Sequence, residues 1–353
     1  MSELHHPDRQ PDLIQQIEHG VRYLMNTYKA CGHIPLGVIS PTLKQYVHLG
    51  DAMSMTDNQI YHISKDMIPT PRYRRGEMDD RWVFTDYNPV LQYQAIQAFA
   101  AASRSLAGYN PSLSVECIRT AKALWNDVHQ RRARNIGSTD NADKNEQEYL
   151  AAVELFLSTG SQDYRKIVTN RNRIKDNFER LGWSACRALQ ALNDSAFSVF
   201  LLQCARDYEQ NLDAQLTANP FELPLSKERN VWGTGREILN FGMRYYYLHR
   251  RFPELFDTAP VHRALEYVLG RHPGSHISFV SGVGSYSVTT AYGVNRGDWS
   301  YIPGGVVSGT AIIESDLPEL KQDWPYLWQQ TQYTIEAAAF FIFCSLAHAS
   351  LLP

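Results

Sequence analysis

The sequence is short of several things, and each shortage closes off a class of function. No long apolar run is present: the longest, Ala337 to Ala347, is interrupted by Ser345 and falls well below the roughly 18 residues that a bilayer span requires. It reads as a buried C-terminal helix, and no membrane partner is expected. Surplus charge is also lacking, with 34 Lys+Arg against 37 Asp+Glu and a formal net charge of −3 over 353 residues. Nucleic-acid binders draw most of their affinity from a basic face, so no nucleic-acid partner is expected either. Cysteine is sparse: Cys31, Cys117, Cys186, Cys204 and Cys344 lie far apart and form no CxxC pair. They read as reduced core thiols. The histidines give no ligand spacing on a convincing helix, so no metal and no cofactor is expected.

Export signals are missing as well. Met1 to Gln10 is polar and carries no apolar run, which a secretory leader needs. Either the protein is cytoplasmic or its natural N-terminus lies upstream.

What is present is helical periodicity. Ile14, Ile17, Val21, Leu24 and Met25 recur at the spacing of one helix face between about residues 11 and 28. An irregular region follows over about 31–88, with Pro69, Pro71 and the cluster Asp79, Asp80, Arg81, Trp82. It is too long for a simple connector. Helical patterns then occupy about 89–107, 111–134, 145–159, 162–180, 183–192, 194–217, 235–251 and 260–270, and strand signals are nearly absent. Asn110-Pro111 and Asn193-Asp194 read as helix starts, and Gly108, Gly160 and Gly182 as stops. Helices joined by short links favour antiparallel neighbours in a bundle, solenoid or closed helical barrel. The rhythm breaks at about 271–323, where eight glycines interleave with Tyr286, Tyr292, Trp299 and Tyr301. Such a loop on a helical scaffold is where a ligand is expected. A last helix is expected from about Trp328 to Leu346.

These residues are specific enough to suggest a family. Trp232-Gly233-Thr234-Gly235, Ala264 to Pro273, Ser278 to Gly284, Pro303-Gly304-Gly305-Val306-Val307 and the final helix resemble the C-terminal half of glycoside hydrolase family 9 in order and approximate spacing. Asp12 to Leu24 looks like its early helix and Asn88 to Arg104 like its later Ala-rich helix. The resemblance implies an all-α fold, an (α/α)6 barrel-like helical toroid. Residues 1–353 would then form a single catalytic-domain fragment missing the first one or two helices, with apolar faces that self-association would cover. It also implies inverting hydrolysis of β-linked polysaccharide or oligosaccharide, with a carboxylate base and a carboxylic acid roughly 6.5–9.5 Å apart. Members of this family are usually secreted or periplasmic, which leaves localisation open.

The chain departs from the family at both catalytic positions. The Asp-Ala-Gly-Asp segment that supplies the base is absent, and the position of the acid, a Glu opening the final helix, carries Gln332. An amide has no titratable proton to deliver. Glu336 lies one helical turn further on, roughly 6 Å along the axis, as a poor geometric substitute. For sugar binding, the family's His-Arg pair corresponds to Asn295-Arg296, of which only the Arg matches. Trp82, Trp232, Tyr292 and Trp299 offer flat faces to pyranose rings, and Asp80, Asp298 and Arg296 offer hydrogen bonds to hydroxyls. The bland alternatives are core packing for the tryptophans, an Arg296–Asp298 ion pair, and a loop brace for Asp51. Tyr245, Tyr246 and Tyr247 read as interhelical packing, and Arg131-Arg132 and Arg250-Arg251 as solvated helix ends.

Overall fold

A computed structural model describes residues 10–39, 82–133, 142–225, 233–272, 276–289, 301–313, 317–319 and 328–352. The chain divides into two compact units, one of residues 1–39 and 81–201, the other of residues 40–80 and 202–353.

In the first unit, α1 (Asp12–Cys31) buries Val21 and Met25 from the anticipated apolar face. It stops at Gly32, whose backbone N–H donates to the Tyr28 carbonyl at 2.7 Å in a left-handed cap. The chain then forms β1 (Pro35–Ile39), which pairs antiparallel with β2 (Trp82–Tyr87). This hairpin carries no period-2 pattern strong enough to read from sequence. A buried side chain anchors it: Gln92 accepts from the Ile34 N–H at 2.9 Å and donates to the Ile34 carbonyl at 2.7 Å. Gln92 thus acts as one more rung of backbone pairing on the first turn of α2 (Pro89–Leu106).

Helix α2 begins where Asn88 accepts from the Val90 N–H and Pro89 fills the first turn, a start that satisfies one orphan donor and removes another, since proline has no N–H. It packs on α3 (Pro111–Ala133) and α4 (Ala142–Thr159). Tyr93, Ile96, Phe99, Leu124, Tyr149 and Leu155 are fully buried in this unit, each contributing roughly 1.5–3 kcal/mol by leaving water.

The single helix expected over 162–180 is instead three segments: α5 (Gln162–Val168), α6 (Arg171–Asp176) and the start of α7 (Phe178–Leu192). Asn170 causes the first break, its side chain accepting from the Arg173 N–H at 3.1 Å, a local bond that competes with helix continuation. Gly182 is not a stop; it is buried inside α7. Asn193 caps α7 in the left-handed conformation, and Asp194 accepts from the Phe197 N–H to open α8 (Ser195–Leu216).

In the second unit, α9 (Thr234–Arg251), α10 (Ala259–Val268) and α12 (Ile335–Leu351) pack on one another. The short α11 (Trp328–Thr331) precedes α12. Leu239, Ala264, Tyr267, Phe279, Val307 and Cys344 are among the buried residues of one core. A small hairpin, β3 (Ala311–Ile313) with β4 (Leu317–Glu319), lies between.

Two expectations need correcting here. The helix expected from Trp328 to Leu346 is interrupted at 332–334. Helix α12 is not buried on all sides either: Ile335 is 92% exposed and Leu346 61%. Its apolar residues surround the whole axis, so Ala337, Cys344 and Ala347 are buried while Ala338, Phe340, Phe341 and Phe343 pack against the core half-buried. Four cysteines are buried and Cys31 is half-buried; burial pushes the Cys344 thiol up to about 12 and Cys117 up to about 11.

Candidate functional site

The sequence directs attention to position 332, and the structure explains why the helix stops there. Residues 332–334, between α11 and α12, are extended, and the segment from Gln330 to Thr334 is held by the Gly-rich segment: Gly309 N–H donates to the Gln330 carbonyl at 2.7 Å, Ser308 N–H to the Gln332 carbonyl at 3.0 Å, and Thr334 N–H to the Val306 carbonyl at 3.1 Å. These bonds replace helical ones, so the final helix begins anew at Ile335. The next layer continues inward, with Val307 N–H donating to Phe279 and Phe279 N–H to Val268. Gln332 therefore projects from a strand-like edge whose backbone is fixed on both sides of it. Its side chain is exposed, and no hydrogen bond to its amide occurs among the described residues.

Side chains reinforce this frame. The Tyr333 hydroxyl lies 2.7 Å from Ser281 Oγ and accepts from the Ile302 N–H at 3.3 Å. Ser281 Oγ in turn donates to the Val288 carbonyl at 2.7 Å, so the Tyr333 hydroxyl donates to Ser281. On the other side, Thr234 N–H and Gly235 N–H at the start of α9 donate to the Thr310 and Ser308 carbonyls. Tyr267 meets Thr310 Oγ1 at 3.1 Å, and burial pushes its phenol up to about 12. His272 stacks on Phe279 with centroids 4.4 Å apart.

The glycines serve this packing. Gly309 has φ +89 and a Cβ there would meet the Phe279 ring at 2.3 Å, while a Cβ on Gly305 would meet Tyr333 at 2.6 Å. These two glycines let the backbone approach aromatic side chains of the protein itself. Tyr333 and Ser281 were not singled out as site residues. The signal available was Ser281 inside the resembling run and Tyr333 next to Gln332.

Glu336 sits in the first turn of α12, where its Oε2 accepts from Arg236 Nη1 at 2.8 Å. Arg236 also pairs with Glu237. Both carboxylates hold the guanidinium further in its charged form, against burial, which alone would lower it. This Glu336 is thus engaged with α9. Of the substrate-binding candidates, only Trp82 falls within the described residues, as the first residue of β2 opposite Ile39. Asp51, Asp80, Trp232, Tyr292, Asn295, Arg296, Asp298 and Trp299 lie outside them.

The first unit holds a second polar cluster. Glu148, buried on α4, meets His129 Nε2 at 3.3 Å, Arg132 at 3.4 Å and Arg173 at 3.1 Å, and accepts from Tyr93 at 3.3 Å. Burial alone would raise its carboxyl, but His129, Arg173 and Arg132 outweigh that and bring it down to about 2. A carboxyl so low is a fixed anion, not a proton donor near neutral pH. Arg131-Arg132 lies in the last turn of α3 with Arg132 exposed, and both are also paired: Arg131 bonds Asp127 at 2.9 Å and lies 4.4 Å over the Tyr87 ring, and Arg132 faces Glu148.

A helical chain with a Gly-rich segment clamped to the start of its last helix has the fold of a class of glycan-cleaving enzymes. The profile of Glycosyl hydrolase family 9 matches residues 3–343, and the chain belongs to that family. Solved structures share the fold. A metagenome-derived family 9 endoglucanase superposes with a TM-score of 0.71 at 19% identity, covering 97% of this chain and 62% of its own. A zinc-binding triple mutant of a family 9 endoglucanase gives 0.68 at 20% identity, covering 98% and 66%. A thermostable endoglucanase from Alicyclobacillus acidocaldarius gives 0.64 at 16%, covering 90% and 61%. The chain thus spans under two thirds of the length of these relatives. No curated protein matches it.

Proposed function

We propose that this chain is a family 9 carbohydrate-active protein that binds β-linked polysaccharide, β-1,4-glucan or a related plant glycan, without hydrolysing it by the family's inverting route. The observation that carries the reading is Gln332. In this reading it stands at the position of the family's acid, on a backbone held at 2.7, 3.0 and 3.1 Å by the Gly-rich segment, and brings an amide there in place of a proton donor. An amide can hold a glycosidic oxygen or hydroxyl by hydrogen bonding, but it cannot protonate a leaving group. Glu336 is turned to Arg236, and Glu148 is a fixed anion held by Arg132, Arg173 and the His129 ring. In this reading, residues 1–353 act as one domain, and Arg296, Asn295, Trp82, Asp80, Trp232, Tyr292, Asp298, Trp299 and Asp51 supply the sugar contacts.

The second reading is a hydrolase, favoured by family membership and by the endoglucanases that share its fold. It requires a base and an acid that the chain's recognisable motifs do not supply. Ligand-induced thermal shift with cello-oligosaccharides and xyloglucan fragments tests the binding claim. Saturable stabilisation is expected, and its absence across the panel in folded protein would sink the proposal.

A further inference from the structure

Helix α12 turns an apolar stripe to solvent. Ile335, Ala339, Ile342, Leu346 and Ala349 are all exposed, the three large ones at 92%, 50% and 61%. Their spacing of four, three, four and three residues keeps them on one side of the helix along about 21 Å of axis. Ala337, Cys344 and Ala347, on the opposite side, are the buried ones. Exposed Val115 and Val199 are single residues of the ordinary kind, whereas a continuous stripe of this length marks a surface that another element covers.

An aromatic border widens the stripe. Helix α9 runs parallel to α12 along one edge of it, with Arg236 level with Glu336 and the Tyr246 hydroxyl 3.4 Å from that of Ser350. Between those ends Phe343 packs half-buried against Tyr246 and Tyr247, at 5.5 and 5.4 Å. The two ends of this surface differ in charge. At its start Glu237 and Glu336 surround Arg236, leaving one negative charge in excess, while Arg250 and Arg251 are exposed at the end of α9.

Both patterns match themselves under a single operation. Reversing a second α12 about Ile342 places Ile342 on its own copy, Ile335 on the partner's Ala349 and Ala339 on the partner's Leu346. Each large side chain away from the axis then meets an alanine, the alternation that lets two helices approach to roughly 8–10 Å. Parallel alignment would instead set Ile335 on Ile335 and Ala349 on Ala349, crowded at one end and gapped at the other. The same reversal brings the acidic start of one surface to the basic end of the other and opposes the two helix dipoles favourably. Self-complementarity of this kind is what a two-fold interface requires. We propose that a second copy of this chain covers α12, the two helices packing antiparallel about a two-fold axis at Ile342. Glycan binding plays no part in the pairing.

Sedimentation equilibrium of the full chain over a range of concentrations tests this. A monomer–dimer equilibrium is expected, and a weak one, because one helix pair with its aromatic border lies at the small end of protein interfaces. Ile342→Glu and Leu346→Glu alter exposed residues and should each weaken it by at least about tenfold, the first by setting two carboxylates against each other across the axis. Direction is read by cross-linking through one introduced cysteine with a short bis-maleimide, with wild type as the control for native thiols. Ile342→Cys should join to its copy. Ile335→Cys should not, because its copy lies level with Ala349, about 21 Å along the axis. A wild-type monomer at every concentration would overturn the proposal. Undiminished association of folded Ile342→Glu and Leu346→Glu variants would overturn it too, as would cross-linking at position 335 as readily as at 342.

Discussion

The Tyr333 hydroxyl lies 2.7 Å from Ser281 Oγ, joining the residue after Gln332 to the Gly-rich segment through a bond that crosses 52 positions of sequence. With the Ile302 N–H on the same oxygen, it keeps residues 302–305 and 332–334 in one arrangement. Tyr333→Phe should therefore cost about 1 kcal/mol for the lost bond and leave Ser281 to its Val288 partner. Gly305→Ala should cost more, roughly 1–3 kcal/mol, because its Cβ would meet Tyr333 at 2.6 Å and the Ile302 carbonyl at 2.9 Å. Urea denaturation of the two variants checks the order; equal effects would show that the segment is not tightly framed.

Glu148 sets an acid limit on the first unit. Its folded value is about 2, below the ordinary 4.5, so its contribution is complete above about 4.5 and is lost as pH falls through about 2. Glu148→Gln should destabilise by roughly 3–5 kcal/mol at neutral pH, since it leaves His129, Arg132 and Arg173 facing an amide. Its stability should also fall less between about pH 4.5 and 2 than that of the wild type. Circular dichroism melts across that range are the check, and parallel pH profiles would contradict the assignment.

His262 and His348 bring their Nδ1 atoms within 2.6 Å across α10 and α12, so the pair shares one proton and double protonation sets two cations in contact. Burial, then His348, lowers His262 below 6.5, with His249 acting the same way and Glu266 and Asp257 opposing. The unfolded chain takes up the proton first, so stability is present above about pH 6.5 and declines below it. His348→Gln should flatten that decline between about pH 7.5 and 5.5. An unchanged slope in thermal melts would remove the pair from the account.

Most helices were legible because their apolar spacing is local information. Ile14 to Met25 and the Asn110-Pro111 start needed only neighbours within a few residues. The breaks at 170 and 332 were not legible, since each depends on a partner that apolar spacing does not reveal: the Asn170 side chain, and backbone groups of Val306 to Gly309 far off in sequence. The β1–β2 hairpin was hidden for a similar reason, being secured by a buried glutamine 58 positions from Ile34. At the site, the sequence pointed to Gln332 and Glu336. It gave no sign that Glu336 would turn to Arg236 or that Tyr333 and Ser281 would form the frame, because these contacts exist only once α9, α12 and the Gly-rich segment have met.

Reducing-sugar release from a panel of β-1,4-glucans and xyloglucan, measured on protein whose thermal shift shows it has bound the matching oligosaccharide, addresses the central claim directly. Stabilisation without release is the predicted result, because on the proposed reading Gln332 stands where the family's acid would be and has no proton to deliver. Sustained release by the chain with Gln332 in place would contradict it and would show that another carboxyl performs the acid step.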